Sequence, residues 1–200
     1  MLHSFLTSGG RPQTTLTNIV LNGNFASGTT GWSGANANIS TANNVLAATG
    51  TGTSNNVSAL QTTGTACSTG KKLYIRTLIR STASECKNLV FYVRGSTGGL
   101  VAGWQKGTGT VTQNEWYTSF AVVTLDATFT GNILARLQAD FVDAATANGK
   151  VMEIKEVITI DLTEIFGVGL EPTAAQMQRW LDIFSAGWFD TTKSIPKRIY

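Results

Sequence analysis

Lys72-Leu73-Tyr74-Ile75-Arg76-Thr77-Leu78-Ile79-Arg80 decides the fold, because its side chains alternate. Leu73, Ile75, Thr77 and Ile79 point one way; Lys72, Tyr74, Arg76, Leu78 and Arg80 point the other. Successive Cβ atoms project to opposite faces of a strand, so this run is a strand with one apolar face. Asn88–Arg94 repeats the pattern, with Leu89, Phe91 and Val93 opposed to Val90, Tyr92 and Arg94. The two runs read as consecutive antiparallel strands joined by a turn at Ser81–Lys87.

The same alternation recurs downstream. Trp116–Leu125 sets Trp116, Thr118, Phe120 and Val122 on one face. Asn132–Phe141 opposes Ile133, Ala135, Leu137, Ala139 and Phe141 to Leu134, Arg136, Gln138 and Asp140. Gly149–Ile160 is the last strand, with Met152, Ile154 and Val157 inward. Leu100–Gln105, containing Trp104, lies between Gly-rich turns. Upstream, Asn18–Leu21, Ala37–Thr41, Val45–Ala48 and Val57–Gln61 are shorter strands, and Phe25, Trp32 and Trp116 are assigned to the core. About eight or nine short strands with regular turns predict an all-β fold, an antiparallel two-sheet jelly-roll sandwich with a short C-terminal helical appendage.

The period changes near the end. Thr173 can cap a helix over Ala174–Phe184, in which Met177, Trp180, Leu181 and Phe184 form one apolar stripe. That stripe is expected to pack on the sandwich or to dock on a neighbouring subunit. The expected organisation is an N-terminal arm (1–15), the sandwich (16–160), a loop-helix segment (161–190) and a tail leaving the body (191–200).

Composition excludes several classes. Charged residues are 14% of the 200, and the net charge of +3 is scattered, with no basic stripe for nucleic acid. No apolar run approaches a membrane span. The start, Met1–Leu6, has too short an apolar core for a secretory signal. Cys67 and Cys86 are expected as free thiols: with Cys86 at the turn and Cys67 before the far end of the first strand, nine residues hold them roughly 30 Å apart.

Catalytic chemistry finds little support. His3 is the one histidine and lies in the arm. No Cys/His cluster has zinc spacing, and no P-loop Lys-Ser/Thr follows the glycine pairs. Asp140, Asp143 and Glu153 are expected on adjacent strands, where they could meet as a glycosidase pair requires; solvated surface acids are the favoured reading. No catalytic residue, metal or cofactor is assigned.

The best candidate site is the outward face of three strands: Tyr74, Arg76 and Arg80; Tyr92 and Arg94; Arg136, Gln138 and Asp140. Aromatic rings stack on sugar C–H faces and planar polar groups bond to hydroxyls, so the mixture suits a glycan. It equally suits a solvated sheet face or a subunit interface. Trp104 is a candidate stacking residue at a loop rim, with burial in the core the equal alternative.

Two stretches resemble known families. Asn18-Ile19-Val20-Leu21-Asn22-Gly23-Asn24-Phe25, followed by Gly31-Trp32, resembles the opening of jelly-roll carbohydrate-binding modules of the family 4/9 type, over roughly residues 16–160. That family often has an acid after the opening Phe and an Asp in the last strand, which help hold calcium. Ala26 and Lys155 stand here instead, so no calcium is carried over.

Ile160-Asp161-Leu162-Thr163, Phe166-Gly167-x-Gly169, Glu171-Pro172-Thr173 and Gly187-Trp188-Phe189 resemble a segment common in tail and other virion proteins of bacteriophages. The resemblance implies a non-enzymatic virion protein, in a tail, baseplate or capsid decoration. Other virion proteins would be its partners, host-surface polysaccharide a possible ligand, and a homotrimer its assembly. The alternative is a secreted carbohydrate-binding module from a bacterial glycoside hydrolase. A polysaccharide depolymerase is the third reading.

Overall fold

A computed structural model describes residues 13–98, 102–107, 111–185 and 187–196. His3 and most of the expected arm lie outside the described residues, as do Lys197 and Arg198. In chain order the elements are β1 (Gln13–Thr17), β2 (Ser33–Ala35), β3 (Ala37–Ala42), β4 (Val45–Gly50), β5 (Asn56–Ala66), β6 (Lys72–Ser81), β7 (Asn88–Gly95), β8 (Ala102–Gln105), β9 (Tyr117–Thr124), β10 (Asn132–Asp140), α1 (Ala144–Ala147), β11 (Val151–Asp161), α2 (Leu162–Phe166), α3 (Ala174–Ser185) and β12 (Thr192–Pro196).

Two five-stranded antiparallel sheets pack as a jelly-roll sandwich, in the orders β2-β5-β10-β7-β8 and β3-β4-β11-β6-β9. Leu89, Phe91, Val93, Ile133, Leu137 and Val57 from the first meet Leu46, Leu73, Ile75, Ile79, Met152 and Ile154 from the second in one buried core. The longer strands contribute alternate residues to it, which is the physical content of the period read from the sequence.

The expected hairpin of β6 with β7 does not form. β6 pairs with β11 and β9, whereas β7 pairs with β10 and β8 in the opposite sheet. Segment 82–87 crosses between the sheets, so the apolar faces of β6 and β7 oppose each other across the core instead of lying side by side. The two cysteines are free, but β10 separates them rather than β6. Cys67 N–H donates to Gly131 O at 2.9 Å before its start, and Lys87 N–H to Asp140 O at 2.8 Å at its end. That strand spans roughly 26 Å.

β11 carries a bulge. Its register with β6 shifts between Lys155 and Ile158, and Glu156 has φ 59°. The extra residue explains why Met152, Ile154 and then Val157 are all fully buried although the last step is three residues. Asn18 grips this irregularity. Its Nδ2 donates to Val157 O at 3.0 Å, and its Oδ1 accepts from Thr159 N–H at 2.9 Å and Val20 N–H at 3.2 Å. Asn18–Leu21, expected as a strand, is instead irregular, with one bridge from Asn18 to Ile160.

The C-terminal segment forms a roof. Asp161 caps α2 by accepting from Glu164 N–H at 3.0 Å and pairs with Lys71 at 2.6 Å. Glu171 accepts from Gly169 N–H (2.8 Å), Thr163 Oγ1 (3.0 Å) and Lys72 Nζ (3.2 Å), which folds the loop before α3. Thr173 and Gln176 bond reciprocally at the start of α3 as a capping box. Met177, Trp180 and Leu181 bury against Tyr74, Ile158 and Ile160 on the outer face of the second sheet, forming a second core.

Of the two partners expected for the helix stripe, the sandwich takes it, so Met177, Trp180 and Leu181 are not free for a neighbouring subunit; the side chain of Phe184 lies outside the described residues. Two expectations change here. Residues 192–196 do not leave the body but pair with Gln13–Thr17, from the expected arm. Trp116 is half-buried on the outer face rather than in the core, with the Arg80 guanidinium 4.6 Å and Lys155 Nζ 4.7 Å from its ring centroid.

Candidate functional site

Because β6 and β7 belong to different sheets, the expected site divides. Tyr74, Arg76 and Arg80 face outward from the second sheet. Tyr74 is fully buried beneath α3, and Arg76 is 5% exposed. Neither can present a side chain to a polymer in solvent. Arg80 pairs with Glu153. Trp104 pairs with Phe91 and packs half-buried against the main core, so it is not on a loop rim.

Tyr92, Arg94, Arg136, Gln138 and Asp140 do share a surface, the outer face of β2-β5-β10-β7-β8. Strand register arranges it in rows. Leu60, Arg136, Tyr92 and Gly103 form one; Ser58, Gln138, Val90 and Gln105 the next; Asn56, Asp140 and Asn88 a third. Helices α2 and α3 both lie on the opposite sheet.

The rows are tied by a continuous polar network. Arg136 Nε donates to Ser58 Oγ at 3.1 Å, and its Nη2 donates to Ser58 Oγ and to Asn56 Oδ1 at 3.0 and 3.2 Å. Tyr92 Oη donates to Gln138 Oε1 at 3.2 Å, and Gln138 Nε2 donates to Asp140 Oδ1 at 2.6 Å. Asn88 Nδ2 completes the chain to Asp140 Oδ2 at 3.1 Å. The Arg136 guanidinium lies 5.7 Å from the Tyr92 ring centroid. Tethering of this kind restricts rotamers before any ligand arrives, which lowers the entropic cost of binding.

Tyr92 is itself only 6% exposed. Its ring therefore supports Arg136 and Gln138 rather than offering an open stacking face. Burial pushes its phenol above the ordinary 10.0, partly offset by Arg136 and Arg94, so it remains a hydrogen-bond donor at neutral pH. Gly103 lies opposite Tyr92, where a Cβ would come within 2.8 Å of the Tyr92 Cβ.

Asn56, Ser58 and Asn88 belong to the network but were not marked by the sequence. Their signal is weak: Asn56–Ala66 is mostly small and polar, and only its register with β10 brings it beneath Arg136. The acid set dissolves. Glu153 is in β11 and Asp140 in β10, on opposite sheets, while Asp143 caps α1 by accepting from Thr146 N–H at 2.7 Å. Among the described residues, no three His, Cys, Asp or Glu side chains converge as a metal site.

No protein-family model matches the sequence, and neither does any curated protein. Solved structures do. An arabinose-bound α-L-arabinofuranosidase matches with a TM-score of 0.55 and 15% identity, over 73% of this chain and 26% of that one. The chain thus spans about a quarter of that enzyme. A family 4 carbohydrate-binding module matches with a TM-score of 0.51 and 15% identity, over 68% of this chain and 97% of the module. A tailspike domain of bacteriophage CBA120 reaches a TM-score of 0.48 at 12% identity, over 72% of this chain and 21% of that one, too low to argue from. At these identities the likeness is one of fold alone, a two-sheet jelly-roll sandwich of the kind seen in that family 4 carbohydrate-binding module.

Proposed function

We propose that this chain is a non-catalytic carbohydrate-binding module of a bacteriophage virion appendage, with the outer face of β2-β5-β10-β7-β8 as its polysaccharide contact. The observation that carries the binding reading is the network from Asn56 through Arg136, Tyr92 and Gln138 to Asn88. It fixes planar amide, guanidinium and carboxylate groups in register across three strands. Sugar hydroxyls both donate and accept, and such a set meets them without a reactive centre. The virion reading is supported by the motif sequence from Ile160 to Phe189 and by its fold. Asp161, Glu171, Thr173 and Gly187 each hold a cap, loop or turn that seats α3 on the sandwich.

The test is retention of the full chain on insoluble host-wall polysaccharide, with mass spectrometry of purified particles. Tyr92→Phe, which keeps the buried ring and removes only the phenol bond to Gln138, and Arg136→Ala are expected to weaken retention with little change in melting temperature, and the chain is expected at fixed copy number in virions. Equal retention of wild type and variants rejects the face. Absence from particles, with binding to plant xylans or glucans, would instead favour a module borne by a glycoside hydrolase.

A further inference from the structure

At the second sheet, away from the polar face, a cavity of about 340 Å³ is lined by Asn24, Asn43, Asn44, Lys155, Glu156 and Trp188. Three of these hold left-handed backbone: Asn43 at φ 50°, Asn44 at 60° and Glu156 at 59°. Asn43-Asn44 is the two-residue loop of the β3-β4 hairpin, where left-handed asparagines are the favoured chemistry. Glu156 has no such excuse, because a glutamate at positive φ is uncommon and strained. The bulge holds it there: Val157 N–H donates to Gly23 O at 2.9 Å. Its carboxylate is turned to Arg76, with Nη1 3.5 Å from Oε2.

Of the groups around this cavity, Lys155 is held over Trp116 and Glu156 against Arg76, but the others keep polar atoms without a partner among the described residues. Trp188 Nε1 is buried without an acceptor among the described residues. Asn24 Oδ1 accepts from Ala26 N–H at 3.2 Å, which leaves its NH2 group available. The amides of Asn43 and Asn44 make no side-chain hydrogen bond among the described residues. Three asparagine amides with donors or acceptors to spare thus surround, together with Lys155, Glu156 and Trp188, a concave volume near the lower end of the roughly 300–1,000 Å³ typical of ligand pockets. An apolar ligand would strand these groups. A hydroxyl-rich one satisfies them, and the adjacent Lys155 and Glu156 favour a neutral sugar over an acidic one.

We propose that this cavity is a second saccharide site that takes the end of a neutral glycan, separate from the open sheet face and independent of whether that face binds. The experiment is NMR titration of the ¹⁵N-labelled full chain with the methyl glycosides of glucose, galactose, mannose, N-acetylglucosamine and xylose. The Trp188 indole N–H signal is assigned by its loss in Trp188→Phe. At least one glycoside is expected to shift it saturably, with a dissociation constant on the order of 1 mM. Asn44→Gly and Glu156→Gly keep the left-handed backbone while removing the polar group, and each should weaken that response about tenfold or more. Tyr92→Phe should leave it unchanged, which separates this site from the sheet face. A Trp188 signal unmoved by every glycoside at about 50 mM, far above that constant, overturns the proposal. So does a shift that survives both glycine variants intact.

Discussion

The phenol of Tyr74 donates a hydrogen bond to Gln178 Oε1 at 2.9 Å, tying the outer face of β6 to α3. Around that bond Met177, Trp180 and Leu181 are buried on a sheet surface that would otherwise face solvent. A twelve-residue helix is marginal alone in water. α3 therefore takes its stability from the sandwich, and the sheet takes its cover from α3.

Trp180→Ala should cost about 3–5 kcal/mol, the usual range for emptying a large aromatic site, and Tyr74→Phe about 1 kcal/mol for one hydrogen bond. Urea unfolding followed by far-ultraviolet circular dichroism and by tryptophan fluorescence should give coincident transitions in the wild type. Separate transitions would show that α3 unfolds independently of the sheets.

Stability should fall in alkali because of Tyr74. Burial pushes its phenol well above 10.0, Arg76 opposes this and Asp182 adds to it. The unfolded chain releases that proton near 10.0 while the folded chain keeps it. The contribution is therefore complete below that pH and is lost as pH rises toward the folded value. Between about pH 9 and pH 11 the melting temperature of wild type should drop more steeply than that of Tyr74→Phe. Parallel slopes would contradict the assignment. Tyr92 is shifted in the same direction, so a residual slope should remain in the variant.

Asn18 is 3% exposed and satisfies three backbone groups, those of Val20, Val157 and Thr159. Asn18→Leu matches its size but strands all three. At about 1–3 kcal/mol for each stranded group, the expected loss is about 3 kcal/mol or more, read as a lower urea midpoint with an unchanged slope. A loss under about 1 kcal/mol would mean that water enters beside the bulge.

Arg136→Lys should behave like Arg136→Ala in polysaccharide retention, although it keeps the charge. The guanidinium reaches Ser58 and Asn56 through Nε and Nη2 together, a fork that an ammonium lacks. Retention about tenfold weaker, with a melting temperature close to wild type, is the expected result. Full retention by the lysine variant would reduce the role of Arg136 to charge alone.

Much of the architecture was legible because alternation reports directly on burial. Asn132–Asp140 and Tyr117–Thr124 lie within a residue or two of their sequence readings, and α3 begins just after Thr173, the cap read from the sequence. Other features left little trace. Gln13–Thr17 is threonine-rich and Thr192–Pro196 mixed polar, neither has a clear apolar period, and they become strands only by pairing with each other. Glu156, Asn24 and Trp188 are far apart in sequence and meet only through the bulge in β11 and the turn after α3.

The sequence alone determined that this chain is a β-sandwich closed by one amphipathic helix, because side-chain period, turn residues and caps are local properties. Only the tertiary structure decided that Tyr74 and Tyr92 stand on opposite sheets, one beneath a helix and one within a polar face. A strand's alternation states that one side is apolar. It carries no information on which sheet the strand joins, since that choice depends on how all the apolar faces are buried together.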